Sequence, residues 1–171
     1  MRPEPELAPA PGAITLRVTR PDDPRVLSLL GELDAYLAGL YAPHENHILD
    51  PAALLGPDVY FLGAWNGERL LGCGATRRMA GEPTTQGQSY GEIKRMIVRD
   101  EARGQGLARQ LLGELEADLQ RRGLRWARLE TGRDQLAAVR LYERCGYRSC
   151  AAFAGYPDNG LSLFMGKELG A

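Results

Sequence analysis

Apolar and polar residues alternate from Ala13 to Thr19, with Ile14, Leu16 and Val18 on one side and Thr15, Arg17 and Thr19 on the other. That two-residue period predicts a half-buried strand. Pro21-Asp22-Asp23-Pro24 stops it and opens a helix. From Arg25 to Tyr41 the residues Val26, Leu29, Leu30, Leu33, Tyr36, Leu37 and Leu40 return at three- and four-residue intervals, a stripe that predicts a helix lying on a flat apolar surface. A polar loop, Ala42 to His47, and a short helical piece near Pro51 to Leu55 come next. Val59 to Trp65 is rich in strand formers, and Asn66-Gly67 behind it signals a hairpin, so Leu70 to Met79 is expected as its partner. The loop Ala80 to Gln88 closes a second hairpin before the strand Ser89 to Val98.

In the second half the period changes. Leu107, Leu111, Leu115 and Leu119, joined by Ala108 and Leu112, predict a helix ending at Arg121-Arg122-Gly123, where cations suit the negative end of the dipole and glycine suits the cap. Trp126 to Thr131 reads as a strand, Gln135 to Cys145 as a helix stopped by Gly146, and Tyr147 to Phe153 and Leu161 to Lys167 as two last strands. A strand, a helix and a strand joined by so long a crossover require parallel pairing. The fold class is therefore α/β (mixed α+β). We expect a central mixed sheet with an antiparallel N-terminal meander, a parallel βαβ unit, and helices on both faces. Residues 13–171 form one domain after a leader, 1–12, whose prolines at 3, 5, 9 and 11 predict disorder.

The strand Ser89 to Val98 carries Glu92, Lys94 and Arg95 inside what this topology makes a central strand. Buried charge is expensive unless it is paired or faces a solvated cleft. Either this stretch lines a pocket or the strand lies at an edge. By the two-residue period Glu92 and Lys94 share one side and Arg95 takes the other.

Arg103-Gly104-Gln105-Gly106-Leu107-Ala108 joins that strand to the leucine-rich helix. Gly104 and Gly106 allow a sharp turn, and the main-chain N–H groups that follow lack intrahelical partners at the positive end of the dipole. A phosphate or pyrophosphate is the natural occupant of such a turn. A plain βα turn without ligand has the same sequence requirements. A P-loop is excluded because Gly-Lys-Ser/Thr occurs nowhere, and a dinucleotide fingerprint starting at Gly104 meets Arg109 where Gly or Ala is needed.

Composition narrows the partners. The 171 residues suit one domain able to bury a core, and 21 Lys plus Arg against 22 Asp plus Glu give no excess of positive charge to attract nucleic acid or anionic membrane. No apolar run approaches the roughly 18 residues that span a bilayer, and the leader has no signal-peptide pattern, so a cytoplasmic protein is expected. Cys73, Cys145 and Cys150 have no metal-ligand spacing and fit a reducing compartment. Neither a disulfide nor a metal is expected.

Two motifs in order give a resemblance. Arg103, Gly106 and Ala108 occupy the diagnostic places of Arg/Gln-x-x-Gly-x-Gly/Ala, and Ala138-Val139-Arg140-Leu141-Tyr142-Glu143-Arg144-Cys145-Gly146-Tyr147 matches Ala-x-x-Leu-Tyr-x-x-x-Gly-Phe/Tyr. With Glu92 to Val98 leading into the first motif, the chain resembles the GNAT superfamily of acyl-CoA-dependent N-acetyltransferases from about Ile14 to Leu169. The resemblance implies that the backbone of Met96, Ile97 and Val98 binds the pantetheine arm of acetyl-CoA, and that Arg103, Gly104, Gln105, Gly106, Leu107, Ala108 and Arg109 surround its pyrophosphate. It implies that Tyr142 is the general acid toward the departing thiolate and that Glu92 is similar in position to a strand glutamate that takes the amine's proton. The rival readings of Glu92 are an ion pair with Lys94 or Arg95, with the proton taken instead through a water chain by a base such as His44, His47 or Tyr90. Gln135 stands where many members carry Asn, which puts one cofactor-arm hydrogen bond in doubt.

The reaction so implied is direct attack of an amine on acetyl-CoA, with no acyl-enzyme, since no cysteine has a nucleophile motif. A catalytically silent acyl-CoA-binding module is the alternative. Tyr41, His44, His47 and Lys94 are the acceptor-side candidates. Arg77, Arg78, Lys94, Arg95 and Arg133 suit a carboxylate-bearing amine, whereas Glu45, Asp50 and Glu92 suit a polyamine, aminoglycoside or lysine side chain. A small-molecule or peptide amine is thus expected as partner, and a homodimer is plausible.

Overall fold

The computed structural model describes residues 12–170; the leader expected over 1–12 lies outside them except for Gly12. Seven strands, β1 (Ile14–Val18), β2 (Val59–Asn66), β3 (Arg69–Met79), β4 (Tyr90–Val98), β5 (Trp126–Gly132), β6 (Arg148–Ser149) and β7 (Ser162–Glu168), form one sheet in the order β1-β2-β3-β4-β5-β7-β6. The helices are α1 (Pro24–Leu40), α2 (Leu107–Arg121) and α3 (Leu136–Arg144), with single turns at Pro43–Glu45, Ala53–Leu55, Pro83–Thr85 and Asp100–Ala102. Strands β1 to β4 are an antiparallel meander, and β4 and β5 are parallel, as the α2 crossover requires. The sheet is mixed, with helices on both faces.

Alternation along β2 sends its residues to two cores. Phe61 and Trp65 pack with Val26, Leu29 and Leu30 of α1, while Leu62 and Ala64 pack with Leu107, Leu111, Leu112, Leu115 and Leu119 of α2. Full burial of each such leucine stabilises the fold by roughly 1.5–3 kcal/mol. Asp23 caps α1 by accepting the Arg25 N–H at 2.9 Å. The α1 stripe stops short at its C-terminal end, where Tyr36 and Leu40 are exposed and only Leu37 stays at the sheet. Close approach of α2 depends on glycine: a Cβ at Gly74 would stand 2.9 Å from Leu115 Cδ1, and one at Gly91 2.2 Å from Leu119 Cδ2.

The expected strand Tyr147 to Phe153 shrinks to Arg148–Ser149. The chain then leaves the sheet edge and crosses the face beside α1, where Phe153 packs edge-to-face with Tyr90 and Phe164. Glu82 fastens this crossing, accepting the Tyr90 hydroxyl at 2.8 Å and the Ala154 N–H at 3.1 Å.

Candidate active site where the sheet parts

β4 and β5 share only the register pairs Gly91↔Ala127 and Glu92↔Arg128. Beyond Glu92 the strands separate, so the β5-facing edge of β4 has no strand partner through Met96, Ile97 and Val98. Opposite, Ala75 pairs with Lys94 and Cys73 with Ile97, so Gly74 alone faces Arg95 and Met96. This bulge puts Arg95 at φ 59°, in the left-handed region. It also corrects the alternation. Arg95 lies on the α1 face with Lys94, its Nη1 2.5 Å from Asp34 Oδ1, and not on the opposite side. β4 is central, and its charges line a cavity.

That cavity holds about 150 Å³. It is bounded by Leu33, Leu37 and Tyr41 from α1 and its end, by Glu45 and His47 from the following loop, by β4 from Glu92 to Met96, by Glu130 to Gly132 of β5, and by Gln135 and Tyr142. Tyr41 closes one corner so tightly that a Cβ on Gly132 would fall 1.6 Å from its hydroxyl.

The polar groups of the wall, with Tyr156 packed against them, form two linked clusters. Lys94 Nζ donates to Glu92 Oε1 at 3.0 Å, to the Tyr156 hydroxyl at 3.0 Å and to the His47 carbonyl at 3.4 Å; Tyr156 in turn donates to Glu92 Oε1 at 2.9 Å. The side chains of Lys94 and Glu92 are only 10% and 1% exposed, so these bonds offset most of what their desolvation costs. Glu92 Oε2 is buried without a partner. In the second cluster His47 Nδ1 lies 2.7 and 2.9 Å from the two carboxylate oxygens of Glu130, and its ring stacks on Tyr156 at 4.9 Å. Burial, helped by the charge of Glu92, pushes the Tyr156 phenol well above its ordinary range.

Tyr142 is 7% exposed and packs edge-to-face on Tyr147. Burial pushes its phenol up to about 12, so it is a neutral hydrogen-bond donor at any ordinary pH. At the far end of β4, Arg103 Nε caps the Val98 carbonyl at 3.1 Å. Gly104 and Gly106 both stand at φ 76°, and α2 begins with no side-chain cap on its first N–H groups. No Cβ contact restricts either glycine, so the positive φ alone accounts for the residue type. The N–H groups of Leu107, Ala108 and Arg109 have no side-chain cap, as expected for the first turn of a helix.

Of the acceptor-side candidates, Tyr41, His47 and Lys94 meet in the cavity wall, while His44 is exposed and outside it. Arg77, which pairs with Asp58 at 3.0 Å, and Arg78, Arg133 and Asp50 are also outside. Tyr90 is spent on Glu82. Glu130 and Tyr156 were not anticipated. Glu130 had a signal, because Arg128 and Glu130 alternate on one face of an interior strand just as Glu92 and Lys94 do. Tyr156 had none, since its place follows from the path of an irregular segment. Among the described residues no cluster of three or more His, Cys, Asp or Glu is arranged to hold a metal, and no helix is long and apolar enough to cross a membrane.

A mixed sheet that parts at a bulged central strand, with an uncapped glycine turn at the end of that strand, defines the acyl-CoA N-acyltransferase class of fold. Residues 27–147 match the Acetyltransferase (GNAT) family, and the chain belongs to it. The IAA acetyltransferase of Azospirillum brasilense is 38% identical over 156 residues, covering 91% of this chain and 98% of that protein. The uncharacterized N-acetyltransferase YsnE of Bacillus subtilis is 33% identical over 149 residues, 85% of this chain and 93% of its own. Among solved structures, a Klebsiella pneumoniae protein described as an acyl-CoA N-acyltransferase superposes with TM-score 0.72 at 34% identity, covering 91% of this chain and 97% of that one. PaiA N-acetyltransferase from Thermoplasma acidophilum, solved with coenzyme A, shares the fold with TM-score 0.70 at 19% identity, covering 91% and 99%.

Proposed function

We propose that this protein transfers the acetyl group of acetyl-CoA to a primary amine of a small molecule or peptide, both being bound together. The observation that carries this reading is the parting of β4 from β5 directly over a cavity whose wall includes both Tyr142 and the carboxylates Glu92 and Glu130. Acetyl-CoA supplies the reactive thioester. The unpaired edge of Met96 to Val98 would hold the pantetheine arm in the manner of an added strand, and the N–H groups from Gly104 to Arg109 would hold the pyrophosphate. Gln135, at the start of α3 and in the cavity wall, takes the place of the usual Asn beside the arm.

The amine nitrogen forms its bond to the acetyl carbon as the carbon–sulfur bond breaks, and Tyr142 donates a hydrogen bond to the departing thiolate. Because burial keeps the Tyr142 phenol protonated at ordinary pH, it is able to donate that hydrogen bond throughout. Glu92 Oε2 is left to anchor the acceptor's ammonium, and Glu92 and His47 are the groups in the wall able to take its proton. None of Cys73, Cys145 or Cys150 lines the cavity, which favours direct attack over an acyl-enzyme. Most of the catalytic advantage is then orientation of two bound reactants.

A thermal-shift titration with acetyl-CoA beside NADH and ATP tests the ligand, since a molecule that binds only the native state raises the melting temperature. Acetyl-CoA alone should shift it, and amines screened with the same protein should release free thiol. No shift with acetyl-CoA sinks both this reading and a silent acyl-CoA sensor.

A further inference from the structure

We infer that His47, oriented by Glu130, is the catalytic base that accepts the amine's proton; this rests on the acetyl-transfer reading above. The geometry narrows the choice to it. Glu92 Oε1 already accepts from both Lys94 and Tyr156, leaving that carboxylate one free oxygen for the ammonium it anchors. Tyr90 donates to Glu82 and does not reach the cavity. His44 is exposed and outside it.

His47 has the arrangement such a base requires. A carboxylate offers only acceptors, so the ring nitrogen held between the two Glu130 oxygens carries the hydrogen. In the neutral ring Nε2 then keeps the lone pair. The ring cannot swing: Glu130 holds Nδ1, Tyr156 stacks on one face, and Lys94 grips the backbone carbonyl. The side chains of His47 and Glu130 are 18% and 15% exposed, which screens the pair from bulk water yet leaves a route for the proton to depart. Nε2 takes one proton from the bound ammonium, the freed amine attacks, and the imidazolium, stabilised by Glu130, returns the proton to solvent. The charged and titratable groups around the ring are Glu130 from β5, Glu92 and Lys94 from β4, Tyr156 from the crossing segment, and Glu45 on its own loop, whose Oε2 accepts the Ala42 N–H. Arg95 and Asp34 pair with each other under α1.

Two measurements on the full chain decide it. Long-range ¹H–¹⁵N NMR, with His44→Gln assigning the two imidazoles, should show neutral His47 as the Nδ1–H tautomer in the wild type and lose that preference in Glu130→Gln. A neutral Nε2–H form in the wild type overturns the proposal. Thiol release is then followed with acetyl-CoA and a probe set of spermidine, tryptamine, L-glutamate and a lysine-ended peptide. For any amine that reacts, kcat/KM of the wild type should fall on the acid side as His47 is protonated. His47→Gln should lower kcat/KM at least ~100-fold and abolish that acid limb. Glu130→Gln should lower it roughly 10-fold, because the ring loses the partner that fixes its tautomer and orientation. Wild-type turnover with His47→Gln keeping both rate and limb overturns the base assignment alone. Absence of turnover with every probe, while acetyl-CoA still raises the melting temperature, overturns it together with the acetyl-transfer reading.

Discussion

Replacing Tyr142 by Phe removes one hydroxyl from a buried ring and nothing else. The edge-to-face contact with Tyr147 is kept, so stability at pH 7 should change by no more than about 1 kcal/mol. The chemistry should change more. A hydrogen bond from a neutral phenol to a developing thiolate is charge-assisted and contributes about 1.5–3 kcal/mol, which lowers kcat by roughly 10- to 150-fold when it is lost. Binding of acetyl-CoA in the ground state needs no such bond, so calorimetric affinity should stay within about threefold, or ~0.7 kcal/mol. Alkali gives an independent check. The folded phenol titrates at about 12 against 10.0 for an exposed tyrosine, so its contribution to stability is complete below pH 10 and is lost as pH rises through the folded value. Two pKa units correspond to roughly 3 kcal/mol. Tyr90, Tyr147 and Tyr156, also raised chiefly by burial, remain in the variant, so both proteins weaken above pH 10.0 but Tyr142→Phe weakens less. Urea melts at pH 7 and pH 11, with single-turnover thiol release, measure both effects. Unchanged kcat beside intact acetyl-CoA binding would refute the acid role and favour a silent acyl-CoA module.

Gly91→Ala places a methyl 2.2 Å from fully buried Leu119 and should cost about 1–3 kcal/mol, less once Leu119→Ala makes room; strict additivity in urea melts would dismiss that contact. Gly106→Ala meets no neighbour but must hold φ 76°, so a loss of about 1–2 kcal/mol is expected with weaker acetyl-CoA binding by calorimetry; unchanged affinity would detach the turn from the cofactor. Cys73 is fully buried and its thiol is pushed up to about 12, so at pH 8 the native protein should be alkylated at the partly exposed Cys145 and Cys150 long before Cys73. Peptide mass mapping that finds Cys73 modified first would contradict its burial.

Elements whose signal is local were legible in the sequence. The leucines of α2 repeat every four residues because one helix face is buried, and Gly104, Gly106, Gly123 and Gly146 mark turns because each stands at positive φ. Tyr142 and the glycine turn stand out as candidates in the sequence because each motif lies within a short contiguous stretch of chain. The side to which Arg95 points was not legible, since it depends on a bulge opposite Gly74, and a bulge is a mismatch between two strands rather than a property of either. Exposure of Tyr36 and Leu40 likewise follows from where the sheet ends beneath α1. The pairing of His47 with Glu130 joins positions 83 residues apart, and Tyr156 reaches Glu92 across 64 residues by way of an irregular segment. Periodicity carries no information at such distances. Sequence alone therefore determined the elements, their order and the glycine turn before α2, each set by near-neighbour sterics and burial. Only the folded sheet decided which charges meet in the cavity, because parting two strands is what creates a desolvated space in which those charges must find one another.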